Sequence, residues 1–514
     1  MSSTVTYSFP VLSVLTVAPL IGALVVAALP RDRPEVAKRV ALGWSLGIFA
    51  LAVAMWVGFS AGGPRFQFSE SYRWIPAWGA HVSFAADGIA LVMLALIALL
   101  VPLVILASWH DAEQSRRSVP AYFALLLALE STMIGVFAAT DVFLFYVFFE
   151  VMLVPMYFII GSYGGPRRQY AAVKFFLYSL VGGLFMLAAV IGLWVVGGHT
   201  FDWQALVDAK FATGTERWLF LGFFLAFAIK APFFPFHTWL PDAGAAAPAG
   251  AAALLVGVLD KVGTFGILRY CLPIFPEAAR YFAPLGLALA LVGIVYGALL
   301  AIGQNDLKRL VSYTSIAHFG FIGIGIFAFT SQAGTGAVLY MVNHGLATGL
   351  LFLVVGMFVT RRGSANVADF GGVGKLLPVL AGVFFVAGMA SLALPGTSPF
   401  VSEFLVLLGT FTVNKTVAVI ATFGIILAAA YVLWMIQRTT QGTLNPAVTS
   451  LPTMRRDLSL REAAVVTPLI ALILLLGVYP KPVIDVINPA VKATLSDVGA
   501  TDPAATATDR QAGK

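Results

Sequence analysis

The sequence predicts an all-α polytopic membrane protein, and three observations predict it. Of its 514 residues, 60% are hydrophobic and 11% charged, where a soluble globular protein carries roughly 25% charged residues. Apolar runs of about twenty residues, enough to cross a hydrocarbon core of roughly 30 Å as helix, recur along the chain. No alternation of lipid-facing and lumen-facing residues marks barrel strands. The runs give about 14 transmembrane helices, over 8–29, 39–59, 88–108, 120–139, 141–162, 171–197, 217–236, 250–271, 281–303, 309–329, 334–360, 377–411, 416–437 and 462–479.

The first span is too long for the core of a signal peptide and lacks a basic region before it, so it is expected to stay. Lys and Arg test the topology, because they accumulate in cytoplasmic loops. Of the 31, eighteen fall in alternate loops counted from the one holding Arg31, Arg33, Lys38 and Arg39. Eleven fall on the other side, four of them after the last span, and Lys230 and Lys261 lie inside spans. Both termini are therefore expected to face outward, away from the cytoplasm. The formal charge of +7 is scattered over short loops and forms no basic face for nucleic acid. The longest loops, 60–87, 198–216 and 438–461, are too short to bury a core of their own. The polar tail SDVGATDPAATATDRQAGK is read as disordered.

A single cysteine, Cys271, excludes a disulfide framework and any four-thiolate cluster built from this chain alone. No His or Cys pair has metal-ligand spacing, so no metal site is expected. No Gly-rich dinucleotide fingerprint follows a strand.

Ionisable groups at membrane depth are costly and mark ion pathways by default. Five stand out: Glu130, Glu150, Lys230, Lys261 and Glu403. The plainer alternative is a side chain snorkelling to the surface. Lys230 lies twelve to thirteen residues from Arg217 and Asp242, about 18 Å at roughly 1.5 Å per residue, too far to snorkel. For Lys261 the alternative is local pairing with its neighbour Asp260. His318 and His344 add groups that titrate near neutral pH on consecutive spans. His237 sits in the opening of an interrupted span, and His81, His110 and His199 are in loops without an assigned role.

Two spans are broken. Pro232 and Pro235 remove backbone donors from the seventh, and LALPGTSPF does the same in the twelfth. Unpaired backbone survives at this depth only where it lines a cavity or is buried in protein. The breaks fall five spans apart and each holds a Pro-Phe pair, at 235–236 and 399–400. Equivalent interruptions imply two inverted five-helix repeats, spans 4–8 and 9–13, with discontinuous helices 7 and 12. The expected division is a three-helix segment over 1–119, an inner half-channel over 120–272, an outer half-channel over 281–438, and a last helix with its tail over 439–514.

FYVFFEVMLVPMYFIIGSYG, AFAIKAPFFPFHTWLPDA and KRLVSYTSIAHFGF closely resemble the antiporter-like membrane subunits of proton-pumping NADH:quinone oxidoreductase, respiratory complex I. Similarity is densest over 87–412. Within that family the chain looks like the M group, because no long lateral helix follows residue 480 and the twelfth span carries an acid where L and N subunits usually carry lysine. The resemblance implies a proton-transfer series of Glu150, Lys230, Lys261, His318, His344 and Glu403, with Glu130, His237 and Asp260 as accessories. A carboxylate near Lys230 holds its ammonium charged, and without that carboxylate desolvation favours the neutral amine and releases a proton. It also implies that flavin, iron–sulfur clusters and quinone belong to partner subunits, that L-type and N-type neighbours flank the chain, and that it resides in a bacterial plasma membrane. The competing class is a subunit of an Mrp-type cation/proton antiporter or of a related membrane-bound hydrogenase, which shares the fold and motifs. As that family is read here, its D-type subunits carry lysine where this chain has Glu403.

Overall fold

The computed structural model describes residues 9–114 and 117–503. Its helices are α1 (Val11–Ala27), α2 (Pro34–Gly58), α3 (Gly88–Ala107), α4 (Val119–Ala138), α5 (Val142–Tyr163), α6 (Arg168–Val196), α7 (Thr213–Lys230), α8 (Trp239–Ala246), α9 (Ala249–Ile274), α10 (Pro276–Ile302), α11 (Leu307–Phe327), α12 (Ser331–Arg362), α13 (Pro378–Ser391), α14 (Ser398–Phe411), α15 (Lys415–Thr440), α16 (Leu460–Val478) and α17 (Lys481–Val498), with shorter turns between them. Among the described residues, eleven helices are long and apolar enough to cross a membrane, and α1, α13 and α14 are shorter apolar helices. The chain is a multi-pass membrane protein, as its composition predicts. Burial sorts the helices: α9 and α12 are wholly enclosed, whereas α2 and α16 turn most of their apolar surface outward.

Both predicted interruptions are present, and physical chemistry explains how each is tolerated. Between α7 and α8, Pro232 and Pro235 cannot donate, and the Ile229 carbonyl accepts instead from the Trp239 indole at 2.8 Å. Between α13 and α14 the backbone turns through Ala393 and Gly396, both with positive φ, and the Ser398 carbonyl accepts from Asn343 Nδ2 at 2.7 Å. At the first break a side chain supplies a donor in place of the backbone, and at the second Asn343 ties the start of α14 to α12. A third departure was not read from the sequence: α9 contains two π-helical turns, Leu255–Leu259 and Ile267–Cys271.

Two further elements correct the expectations. Loop 60–87 contains an antiparallel hairpin, β1 (Gln67–Ile75) and β2 (Ala80–Ala86). Residues 481–498, at the start of the region expected to be a disordered tail, form the amphipathic helix α17, which buries Val483, Ile487, Val491, Leu495 and Val498. Their spacing of three to four residues is the helical period, and Pro482 falls in the first turn, where no donor is needed. Residues 496–498 of SDVGATDPAATATDRQAGK close that helix, Asp502 accepts from the Ser331 amide at 2.6 Å, and 504–514 lie outside the described residues.

Ion pairs tie together loops of like parity. Arg65 bonds Asp497 at 2.6 Å, joining two loops that the charge count puts on one face. Lys38 with Glu113, and Arg361 with Glu462 at 2.7 Å, join loops of the other face. Deeper, Asp87 caps α3 and pairs with Arg269 of α9 at 2.6 Å, both side chains at most 3% exposed. Removing one partner of a buried pair leaves the other charge uncompensated, at about 3–5 kcal/mol. Asp87→Ala is therefore expected to lower the melting temperature of the purified assembly and the yield of intact complex. An unchanged melting temperature would show that the pair adds nothing.

Candidate functional site

The predicted site residues divide into one connected series, one nearby pair and two outliers. The series begins at the end of the first π-helical turn of α9, where the Val256 carbonyl is released from regular helical bonding. Lys261 donates to that carbonyl and to Asp260 Oδ1 at 3.1 Å, and it bonds His344 Nδ1 of α12 at 2.5 Å. Both Asp260 and Lys261 have no exposed side-chain surface, so the local pairing weighed for Lys261 exists, but as one of three contacts.

Close helix packing brings Lys261 to His344. A Cβ at Gly345 would lie 2.8 Å from the Gly257 carbonyl oxygen, so a larger residue there would push α12 away from α9. From His344 the series turns to His318 of α11, ring centroids 5.2 Å apart and nearly perpendicular. His318 Nε2 lies 3.5 Å from the Tyr431 hydroxyl of α15. Glu403 of α14 accepts from the Tyr340 hydroxyl at 3.0 Å. Both tyrosines are buried, and sequence reading missed them. Tyr340 precedes His344 by one helical turn and so shares its face. That spacing was a visible signal, whereas nothing local marks Tyr431.

Glu150 and Lys230 are neighbours without being partners. Pro155 leaves the Val151 carbonyl without its helical donor, and α5 is interrupted at Met152, two residues past Glu150. Glu150 Oε1 and Lys230 Nζ each lack a hydrogen-bond partner, and no ion pair joins them among the described residues. The ammonium instead sits 4.7 Å from the Phe149 ring centroid and 5.9 Å from that of Phe175, a cation–π seat. It also terminates α7, where the negative end of the helix dipole favours a cation. The carboxyl lies against bare backbone: a Cβ at Gly183 of α6 would come within 1.6 Å of Glu150 Oε1. A side chain at Gly183 would therefore have to displace Glu150.

Glu130 is buried with neither oxygen bonded, and His237 stacks on Phe234 and meets Tyr296 edge-on, neither of them part of the series. Beside His237, Thr238 donates to the Tyr178 hydroxyl at 2.8 Å. Asp242 of α8 accepts from Lys174 at 2.7 Å and Arg309 at 2.6 Å, and helps line a cavity of about 470 Å³. No group of three or more His, Cys, Asp or Glu able to hold a metal is found among the described residues.

Chemically, the series is a row of groups that can each accept and release a proton in a dry interior, next to a second lysine held free of bonds. The family described as NADH:quinone oxidoreductase/Mrp antiporter, TM, matches residues 139–428, the stretch holding all of these groups except Glu130 and Tyr431. The chain is 47% identical to NADH-quinone oxidoreductase subunit M of Mycobacterium tuberculosis, over 96% of each. In fold it matches a chain of respiratory complex I from Thermus thermophilus, at TM-score 0.85 and 30% identity, covering 95% of this chain and 100% of that one. It also matches a chain of the Mrp complex from Dietzia sp. DQ12-45-1b, at TM-score 0.86 and 22% identity, over 95% and 99%; at that identity the likeness is one of fold. Charged groups in broken helices, a family match across them and near-complete coverage of a named relative agree: the chain belongs to the NADH:quinone oxidoreductase/Mrp antiporter transmembrane family, within its group of NADH-quinone oxidoreductase M subunits.

Proposed function

We propose that this chain translocates protons for NADH-quinone oxidoreductase, with the electron transfer carried out by other subunits. The observation that carries the reading is the buried series from Lys261 through His344 to His318, with Glu403 bonded to Tyr340, whose ring stands beside His318. In this reading protons are taken up at the face bearing the Asp242 cavity and held at Lys230, whose charge depends on Glu150. They pass to Lys261 and leave through Glu403 on the opposite face. Moving one charge against the membrane potential costs about 2.3 kcal/mol per 100 mV. Burial can shift a lysine or carboxyl by up to roughly two to three times that amount, so a change in one neighbouring charge suffices to load or discharge a site.

The reading makes residues 120–272 and 281–438 inverted half-channels and puts both termini on the outer face of a bacterial plasma membrane. It assigns flavin, iron–sulfur clusters and quinone to partner subunits, with L-type and N-type subunits as membrane neighbours. The translocase activity then belongs to the assembly. The likeness in fold to an Mrp complex supports a second reading, a cation/proton antiporter subunit. Copurification separates them: flavin and iron–sulfur proteins are expected with this chain, and small antiporter subunits alone would favour the second.

The test uses the assembled complex in inverted vesicles. Glu150→Gln and Lys230→Met are each expected to cut NADH-driven proton uptake severely, with the complex still intact on a native gel. Normal pumping by the intact double variant would overturn the loading role of the pair.

A further inference from the structure

The relay has one step with no assigned carrier, between His318 and Glu403, and the structure fills it with two phenols. Tyr431 stands at the histidine end, its hydroxyl 3.5 Å from His318 Nε2. Tyr340 stands at the acid end, donating to Glu403 Oε2 at 3.0 Å. The two ends lie close together, since the Tyr340 ring centroid lies 5.9 Å from that of His318. The tyrosines come from α12 and α15 and are at most 1% exposed. Phe321 of α11 packs against the Tyr340 ring, centroids 6.3 Å apart. A buried hydroxyl is costly unless bonded, so phenylalanine would serve packing alone at either position. Each hydroxyl spends its hydrogen bond on one end of the gap.

We propose that Tyr431 and Tyr340 are the proton-carrying bridge between His318 and Glu403, an assignment that rests on the relay reading above. A phenol has one O–H donor and two acceptor lone pairs. A proton arriving on His318 Nε2 moves to a lone pair of the Tyr431 oxygen, breaking an N–H and forming an O–H bond. Tyr431 passes its original proton on to a lone pair of the Tyr340 oxygen, and Tyr340 delivers its own proton to the Glu403 carboxylate, so each O–H bond broken is matched by one formed. Each phenol is neutral before and after, and no electrons move. The hydroxyls then point the wrong way for a second proton and must rotate back. That rotation makes the bridge a single-proton step rather than an open wire.

The test is Tyr431→Phe and Tyr340→Phe, singly and together, in the assembled complex reconstituted into proteoliposomes. Two quantities are read: the rate of proton movement during NADH oxidation with quinone as acceptor, and the solvent deuterium isotope effect on turnover. Phe keeps the ring and removes only the hydroxyl, so a packing role moves neither quantity. The bridge requires several-fold slower proton movement in each single variant and a larger isotope effect, because transfer across a missing carrier becomes limiting. Tyr431→His guards against failed assembly of the Phe variant: an imidazole carries protons but lacks the phenol's shape, and it is expected to retain much of the coupling. Wild-type rate and isotope effect in the intact double Phe variant would overturn the proposal, as would coupling lost equally in the His variant. Lys261→Met run alongside separates the two levels. If it pumps normally the relay reading itself fails; if it is inactive while the Phe variants pump normally, only the bridge does.

Discussion

Lys261→Met is expected to abolish proton pumping by this chain and to slow coupled quinone reduction by about tenfold or more, the order of effect of ~1.4 kcal/mol or more on the limiting step. Lys261→Arg is expected to do the same. The pair of variants decides what the position needs. Lys261 is fully buried, bonded to Asp260, to the Val256 carbonyl and to His344. Methionine fills similar space but leaves Asp260 as a buried carboxylate without its partner, a situation relieved by taking up a proton and becoming neutral. Arginine preserves the charge and the pairing, but a guanidinium does not deprotonate in proteins. If Lys261 only holds α9 to α12 by charge, arginine keeps activity; if it must give up a proton in each cycle, arginine is as inactive as methionine. The measurement is the initial rate of NADH-driven acidification of inverted vesicles, alongside the amount of intact complex. Full pumping by the arginine variant would remove Lys261 from the relay.

Glu403→Gln comes next in expected size. Glu403 is 5% exposed and its carboxylate accepts from Tyr340. Glutamine still accepts that hydrogen bond through its amide oxygen but carries no proton. A severe loss of pumping in intact Glu403→Gln, with partial retention in Glu403→Asp, follows if the group must ionise. The alternative is that the acid only braces the broken helix. Asn343, Ser402 and the Ser398 carbonyl already form a hydrogen-bonded brace across α12 and α14, so the break has support without Glu403. Unchanged rate and stoichiometry in the glutamine variant would leave Glu403 a structural part alone.

Much of the site was legible because its members violate local expectation. Lys230 and Lys261 lie far from any polar surface, and Pro232, Pro235 and Pro395 remove donors where no water can replace them. These are properties of single residues. Tyr431 carries no such signal, since a tyrosine in an apolar run is ordinary in a membrane helix. Glu150 and Lys230 stand near each other without a direct bond. Opposite charges on nearby spans suggest a pair, yet Lys230 rests on aromatic rings and Glu150 on the backbone at Gly183. Helix α17 was missed because it is amphipathic and lies outside the long apolar runs that mark spans, and proline is well accommodated in its first turn. The hairpin was missed because a polar loop between spans gives no burial pattern to read.

The sequence by itself determined that the chain enters a membrane as helices, where two of them break, and which charges are buried. Transfer free energy and the loss of a backbone donor are local quantities that add residue by residue. Only the tertiary structure decided which of those charges meet. Lys261 and His344 are 83 residues apart and His318 and Tyr431 are 113 apart. Their contact depends on how closely α9, α11, α12 and α15 pack and at what rotation. That is set by the joint shape of many side chains, and by glycines such as Gly345 that let two backbones approach.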